Sequence, residues 1–97
     1  EKRTAVFSIL ADKDIDGVLD IVKDQFDEWH IAPLDVPRGM TAEALVRKLA
    51  EHGIENVKVF ENIEKAYRAA LEKAGENDRI VVFGSFHTVA AVMAALS

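Results

Sequence analysis

The sequence predicts an α/β fold, a Rossmann-like, open and mainly parallel sheet made of four βα units with helices on both faces. Short apolar runs, rich in β-branched residues, alternate four times with longer stretches of helical character along the 97 residues. Each run is followed by a polar turn and by a residue that suits the start of a helix. This repeated order of strand and helix is typical of parallel sheets, in which helices connect the strands.

Four apolar runs are predicted as strands because they are short and are bounded by turn residues. They cover residues 5–10, 28–34, 57–60 and 80–83. In the second run Trp29 and Ile31 fall on one face and His30 falls on the other. Pro33 should end that run, since proline cannot donate to a ladder. The run over 80–83 is apolar at every position, which predicts burial on both faces.

A helix follows each run, and each begins at a side chain that can accept a bond from the first N–H groups of the helix. The predicted caps are Asp12 or Asp14 for the first helix, then Thr41, Asn62 and Ser85. The apolar positions of the first three helices recur every three or four residues, so that one side of each helix covers the sheet. The first pattern continues from Ile15 to Phe26, and Gly53 and Gly75 mark the ends of the next two helices.

Length and composition exclude several classes of protein. A hydrophobic fraction of 49% indicates a folded chain, and the length suits a single domain over residues 1–97. A net charge of −5 argues against nucleic-acid binding, and no apolar stretch is long enough to span a membrane. The absence of cysteine excludes disulfides and is compatible with a cytoplasmic location. The first residue is Glu1 and not methionine, as expected of a processed chain or of a fragment of a larger protein.

Polar side chains follow every predicted strand. The carboxyl ends of parallel strands meet at one edge of the sheet, and ligands of open α/β sheets bind at that edge. We therefore expect these side chains to share one rim. They are Asp12, Lys13, Asp14, Asp35, Arg38, Glu61, Asn62, Ser85, His87 and Thr88.

Three of the rim residues are candidates for binding a small anion. Lys13 is either a solvated turn residue or a cation that holds a carboxylate or phosphate. Ser85 is an ordinary helix cap or part of an anion site with the first N–H groups of the last helix, and the two roles are compatible. His87 lies in the first turn, where the helix dipole disfavours positive charge, so it has either a neutral hydrogen-bonding role or a local structural one.

The remaining polar residues suggest no catalytic centre. Arg38 either contacts a phosphate or another domain, or only braces its proline-containing loop. His30 and His52 are predicted to be structural, and the histidine spacing fits no metal site. Ser85 lacks the flanking glycines of a nucleophile elbow, and no glycine-rich phosphate-binding loop occurs. We expect neither a catalytic residue nor a nucleotide site within this chain.

Three stretches carry a resemblance to a known family. They read DKDI at 12–15, APLDVPRG at 32–39 and GSFHTV at 84–89. In this order and spacing they resemble the C-terminal domain of the folylpolyglutamate synthase/dihydrofolate synthase enzymes, members of the Mur ligase superfamily. The resemblance covers nearly all of the chain.

The resemblance implies the substrate-binding domain of a cytoplasmic, ATP-dependent ligase that joins L-glutamate to folate or dihydropteroate through an acyl phosphate. Such an enzyme serves folate biosynthesis and one-carbon metabolism. An N-terminal ATPase domain outside this chain would hold ATP and Mg²⁺, and neither is expected to bind tightly to the fragment. Which of the two acceptors is used is not implied.

The resemblance also implies roles for single residues. Lys13 stands where such ligases have the lysine that contacts the carboxylate of the incoming amino acid. Ser85 corresponds to a serine that contacts glutamate, and His87 lies beside it. The supporting rim residues are Asp12, Asp14, Arg38 and Thr88.

A stand-alone α/β binding or signalling module, such as a receiver-like domain, is the alternative. A receiver needs an acidic pair after its first strand and an aspartate that accepts phosphate after a central strand. Asp12 and Asp14 fit the pair, and Asp35 is the one candidate for the acceptor. A third class is an interaction domain without chemistry, in which every rim residue only caps a helix.

The resemblance leads to a prediction about association. The family domain has a strand and a helix before the position of Ala5, so the sheet of this chain should have an unpaired edge. We expect the isolated chain to expose an apolar edge or to self-associate. Sedimentation analysis with a hydrophobic dye tests this, and a sharp monomer boundary without bound dye would contradict it.

Overall fold

The computed structural model describes residues 1–96, which form four strands and four helices in strict alternation. The strands are β1 (Arg3–Phe7), β2 (Glu28–Ile31), β3 (Val57–Val59) and β4 (Arg79–Phe83). The helices are α1 (Ile15–Val22), α2 (Ala42–Glu51), α3 (Ile63–Lys73) and α4 (Phe86–Ala95). Within residues 1–96, no helix has the length and apolar character needed to cross a membrane.

The strands form one sheet in the order β3-β2-β1-β4, and all three ladders are parallel. The predicted fold class is therefore confirmed. The register aligns Phe7 of β1 with Ile31 on one side and with Phe83 on the other. The chain adds β2 and β3 on one side of β1 and then returns to add β4 on the opposite side. This reversal creates a topological switch point between β1 and β4.

Helices cover both faces of the sheet, and each face has its own core. On one face, residues of α1 and α2 pack against β1 and β2, and the largest buried side chains there are Phe7, Leu19, Trp29, Leu45 and Leu49. On the other face, residues of α3 and α4 pack against the same strands. That smaller core contains Val6, Ala32, Ile63, Ala66, Ala70 and Val92. The predicted opposite orientation of Trp29 and His30 is confirmed.

The larger core is organised by aromatic rings. The ring centroids of Phe7 and Phe83 lie 5.0 Å apart, and Trp29 lies 5.5 Å from Phe7. Phe26 stacks on Phe83 at 5.5 Å. The predicted extension of the first helix to Phe26 is wrong, since α1 ends at Val22. Phe26 lies in the loop after α1, and its ring packs against the sheet from there. The apolar spacing therefore continues beyond the end of the helix.

Two strands differ from their predicted bounds for a common reason. The strand predicted over residues 5–10 is β1, which covers Arg3–Phe7. The strand predicted over residues 28–34 is β2, which ends at Ile31 although the apolar pattern continues to residue 34. The ladder between β1 and β2 ends where Phe7 meets Ile31. Beyond that point Ile9 and Leu10 are buried beneath loops. An apolar pattern in the sequence indicates that residues are buried, but it does not show whether they pair with another strand.

The prediction that the last strand is buried on both faces is wrong. Among the described residues β4 pairs only with β1, so it is an edge strand. Val81 is 40% exposed, whereas Ile80 and Val82 pack against the smaller core. An apolar edge of this kind invites association with another chain, which agrees with the expected self-association.

All four predicted helix caps are confirmed, with Asp14 as the cap of α1. In each case a side-chain oxygen accepts a bond from the N–H three residues on, at 2.8–3.2 Å. His52, the C-cap of α2, is structural as predicted. Its ring nitrogens lie 2.9 Å from Asp16 and 3.0 Å from Asp20, so that it joins α2 to α1. Hydrogen bonds from His52 and then Lys48 lower the pKa of Asp16.

The turn between β4 and α4 requires glycine. Gly84 has a φ of +120°, a conformation that other residues rarely adopt. A Cβ at this position would lie 1.9 Å from the backbone oxygen of Ser8. The end of β4 therefore packs directly against the residue that follows β1.

A buried ion pair lies near the end of the sheet at which the strands begin. We call this end the amino edge, and the end at which the strands finish the carboxyl edge. Glu28 and His30 are almost fully buried on the α3 side. His30 Nδ1 lies 3.0 Å from the Ala66 carbonyl, which can only accept, and His30 Nε2 bonds to the Glu28 carboxylate. Lys2 Nζ lies 3.2 Å from Glu28. The two ring nitrogens thus join β2 to α3 and to Glu28, which confirms a structural role for His30.

The contact at Gly84 predicts a large loss of stability for Gly84→Ala. The substitution places alanine at an unfavourable φ and brings its Cβ into a clash with the backbone. Together these effects should lower the free energy of unfolding by more than about 3 kcal/mol. Gly53→Ala is the matched control, since Gly53 has a φ of +77° but no atom within 4 Å of the added Cβ. It should cost about 1 kcal/mol. Chemical denaturation measures both, and equal losses would show that the contact with Ser8 contributes nothing.

The buried ion pair predicts a specific loss of stability in acid. Burial opposes the charge on Glu28, but hydrogen bonds from His30 and Lys2 outweigh it and lower the pKa of Glu28 to about 2. A carboxyl whose pKa is lower in the folded than in the unfolded protein stabilises the fold above its unfolded pKa of 4.5. This stabilisation, on the order of 3 kcal/mol, should disappear as the pH falls from 4.5 towards 2.

Urea denaturation between pH 2 and pH 6 measures this loss. Glu28→Gln should lower stability at neutral pH, because it removes the buried carboxylate that bonds to His30 and pairs with Lys2. The same variant should flatten the pH dependence below pH 4.5. Glu72→Gln, a change at an exposed residue of α3, is the control and should retain the slope of the wild type. If the stability of Glu28→Gln fell with decreasing pH as steeply as that of the wild type, the acid loss could not be assigned to Glu28.

Candidate functional site

The candidate site lies at the carboxyl edge of the sheet, at the switch point between β1 and β4. The chain leaves β1 towards α1, which packs on one face, and leaves β4 towards α4, which packs on the other. The two connections therefore diverge, and the space between their starts, called the crevice below, is the usual ligand position in an open α/β sheet. Lys13 lies in the first connection, and Ser85 lies in the second.

The loops that follow β1 and β2 are bound to each other. Leu10 and Gly39 form an antiparallel bridge, and Ala11 N donates to the Arg38 oxygen at 2.7 Å. The Arg38 guanidinium bonds to Asp12 Oδ2 at 2.7 Å, although both side chains are largely exposed. An exposed pair of this kind stabilises weakly, but the backbone bonds beside it fix the course of both loops. Arg38 thus braces its loop, one of the two roles expected for it.

Lys13 is the exposed cation of this edge. Its backbone N–H donates to the Leu10 oxygen at 3.1 Å, which closes the turn. Its two neighbours are occupied, since Asp12 pairs with Arg38 and Asp14 caps α1. No carboxylate within residues 1–96 pairs with the Lys13 ammonium, which is therefore available to an anion from outside.

The start of α4 presents donors to the same edge. Ser85 Oγ accepts the Thr88 N–H at 3.1 Å, and the Ser85 oxygen accepts the Val89 N–H at 3.3 Å. The N–H groups of Phe86 and His87 have no acceptor in the part of the chain that the structure describes. Free N–H groups at the positive end of a helix favour an anion.

A hydroxyl chain ties α4 to the end of β1. Thr88 is fully buried, and its Oγ1 donates to the Ser8 carbonyl at 2.9 Å. Ser85 Oγ lies 3.0 Å from Thr88 Oγ1. The Ser8 hydroxyl beneath this chain is also buried and has no hydrogen-bond partner among the described residues.

His87 lies apart from these contacts. It is exposed, and its ring packs only against the ring of Phe86, at a centroid distance of 6.2 Å. Phe86 is itself 81% exposed. Both residues lie in the first turn of α4, at the carboxyl edge of the sheet.

The polar residues that follow β3 have structural partners. Asn62 caps α3, and Glu61 pairs with Lys65 at 2.6 Å, which lowers the pKa of Glu61. Asp35 is exposed in a shallow depression that Asn62 also lines. Residues 1–96 contain no group of three histidine or acidic side chains that could hold a metal ion. The two acids that would form the pair of a receiver domain have other partners, since Asp12 pairs with Arg38 and Asp14 caps α1.

The predicted site residues fall into two groups. Asp12, Arg38 and Asp14 form the braced loop around Lys13, and Ser85 and Thr88 form the start of α4 with His87 at its surface. No hydrogen bond within residues 1–96 joins Lys13 to the second group. Sequence reasoning missed Ser8, whose only signal is a serine within the apolar run AVFSIL.

Comparison with known proteins identifies the family of this chain. Residues 1–86 match the family model described as Mur ligase, glutamate ligase domain. The chain is 46% identical over 89 residues to the dihydrofolate synthase/folylpolyglutamate synthase of Escherichia coli, covering 92% of this chain and 20% of that protein. The protein of the same name from Haemophilus influenzae is 40% identical over 91 residues. The chain thus spans about a fifth of the length of these relatives.

Solved structures agree in fold as well. The Escherichia coli protein FolC in complex with ADP superposes with a TM-score of 0.89 at 43% identity, over 99% of this chain and 22% of that one. A bifunctional folylpolyglutamate synthase/dihydrofolate synthase, solved with Mn, AMPPNP and L-glutamate bound, gives a TM-score of 0.85 at 46% identity, over 98% and 22% of the two chains. The family model spans most of the chain, which therefore belongs to the glutamate ligase domain family of the Mur ligases.

Proposed function

We propose that this chain is the glutamate-binding domain of an ATP-dependent ligase that adds L-glutamate to folate or dihydropteroate. The observation that carries the proposal is the crevice at the switch point, which has an unpaired cation on one wall and free helix N–H groups on the other. Relatives named dihydrofolate synthase/folylpolyglutamate synthase support it, as does the solved structure of a bifunctional enzyme of that name with L-glutamate bound.

The chemistry of glutamate matches the two walls of the crevice. Glutamate carries two carboxylates, and its amine must remain free to react. The Lys13 ammonium suits one carboxylate through a charge-assisted bond. The N–H groups at the start of α4, with Ser85, suit a second negative group, and the exposed His87 lies beside them. Lys13 and the start of α4 together would set both the position and the direction of the amine.

The contribution of this domain to the reaction is orientation. In the ligase reaction the amine attacks the carbonyl carbon of an acyl phosphate, an amide bond forms, and the carbon–oxygen bond to phosphate breaks as the amine loses a proton. A glutamate held in one orientation reaches that carbon without a further loss of entropy. ATP, with its Mg²⁺, supplies the phosphoryl group that activates the acceptor.

The remaining parts of the ligase lie outside this chain. No metal-binding cluster occurs in residues 1–96, so we assign the Mg²⁺ ligands and the nucleotide site to an N-terminal ATPase domain of the same enzyme. That domain is the main partner of this one, and the exposed Phe86 and His87 lie on the side that would face it. Closure of the two domains by a hinge would bring glutamate to the acyl phosphate. A cytoplasmic location follows from this role.

The role of Lys13 is tested in the complete ligase by Lys13→Ala. Loss of a charge-assisted bond to a carboxylate should raise the KM for glutamate by about 10- to 100-fold. The KM for ATP and the stability should not change, since Lys13 is exposed and supports no other residue. The assay is phosphate release that depends on ATP and glutamate, with dihydropteroate and with a reduced folate as acceptors.

Lys23→Ala is the matched control, since it removes another exposed lysine at the end of α1. It should leave all constants unchanged. An unaltered glutamate KM in Lys13→Ala would remove Lys13 from the site. If the wild-type enzyme showed no turnover with either acceptor, a binding module would be the better account of the chain.

A further inference from the structure

The hydroxyl chain at the switch point joins residues from the two ends of the sequence. Thr88 has no exposed surface, whereas Ser85 is partly exposed and His87 is exposed. Thr88 Oγ1 lies within hydrogen-bond distance of two oxygens, the Ser8 carbonyl at 2.9 Å and Ser85 Oγ at 3.0 Å. It is the buried link between the cap of α4 and the end of β1.

The direction of each hydrogen bond follows from what each group can donate. A carbonyl oxygen has no hydrogen, so the single proton of the Thr88 hydroxyl points to Ser8. The bond between the two hydroxyls must then be donated by Ser85. Ser85 Oγ also accepts the Thr88 N–H at 3.1 Å. Every side-chain bond of Ser85 in the structure is therefore made to Thr88.

This arrangement holds the Ser85 side chain in one orientation. One lone pair of Ser85 Oγ is left over and can accept a further bond. The bond to Ser8 also anchors the first turn of α4 to the strand from which the Lys13 loop departs. Thr88 thereby sets the separation of the two walls of the crevice.

We propose that Thr88 is a positioning residue for the amino-acid substrate, acting through Ser85 and through the anchoring of α4 to β1. The inference rests on the proposed function and deepens it. Thr88 is buried and need not touch the substrate. Its hydroxyl orients the serine and the free N–H groups that do.

Thr88→Val in the complete ligase tests the proposal, because valine keeps the shape of threonine and removes the hydroxyl. We expect the KM for glutamate to rise about five- to tenfold, with the KM for ATP unchanged. Thr88→Ser restores the hydroxyl and should return the glutamate KM to within about twofold of the wild type. Thr4→Val, the same change at a buried threonine of β1 near the amino edge, is the control and should leave both KM values unchanged.

A double-mutant cycle with Ser85→Ala separates positioning from a general structural role. If Thr88 acts through Ser85, Thr88→Val should have a smaller effect on the glutamate KM in the Ser85→Ala background than in the wild type. A fully additive effect, or a loss of stability in Thr88→Val with a wild-type KM, would overturn the proposal. If Thr88→Val does not fold, Thr88→Cys replaces it, and a wild-type glutamate KM in that variant would also overturn it.

The same measurements distinguish this inference from the proposed function. A wild-type enzyme that turns over glutamate, combined with an unaffected Thr88→Val variant, overturns the role of Thr88 alone. A wild-type enzyme without glutamate-dependent turnover overturns both.

Discussion

The central position of β1 is the constraint on which the rest of the structure depends. β1 bonds to β2 on one side and to β4 on the other, and its residues Ala5, Val6 and Phe7 have no exposed surface. Its two faces contribute to the two separate cores. The helices that follow β1 and β4 must therefore lie on opposite faces, and the crevice between their first turns exists because two adjacent parallel strands lead to opposite sides.

The two edges of the sheet differ in how their polar groups are used. At the amino edge the carboxylates are occupied, since Glu28 bonds to His30 and Lys2, and Asp78 accepts N–H groups of Gly75 and Lys2 at 2.8 and 2.9 Å. Bonds of this kind lower the pKa values of both acids. At the carboxyl edge the Lys13 ammonium and the first N–H groups of α4 remain without acceptors among residues 1–96. The amino edge is therefore internally neutralised, and the carboxyl edge has donors available for a ligand.

The features that sequence reasoning predicted correctly are those with local causes. The caps at Asp14, Thr41, Asn62 and Ser85 depend on bonds to residues three positions away, which a sequence displays directly. The four βα units also follow from local patterns. Strand order does not, because the pairing of β4 with β1 joins segments more than seventy residues apart. The exposed face of Val81 and the early end of β1 were mispredicted for this reason.

The features of the candidate site also divide into local ones, which could be predicted, and long-range ones, which could not. Lys13, Ser85 and His87 stand in recognisable stretches, so their position at the rim could be predicted. The hydrogen bond from Thr88 to Ser8 joins residues 80 positions apart, and no periodicity or motif in the sequence indicates it. The buried charge of Glu28 was equally invisible, since two of its partners, Lys2 and Lys58, come from distant parts of the chain.

The pairing of the first strand with the last also bears on the biosynthesis of the domain. During translation β1 and β2 leave the ribosome early, and they can pair while the remainder is still being made. β4 and α4 are the last elements of the described chain, so the crevice cannot form until nearly all of these residues have emerged. Long-range closure of this kind is slow relative to local helix formation. The carboxyl edge between β1 and β4 is therefore the last part of the domain to assemble, and a nascent chain arrested before Arg79 would contain Lys13 without the start of α4 opposite it.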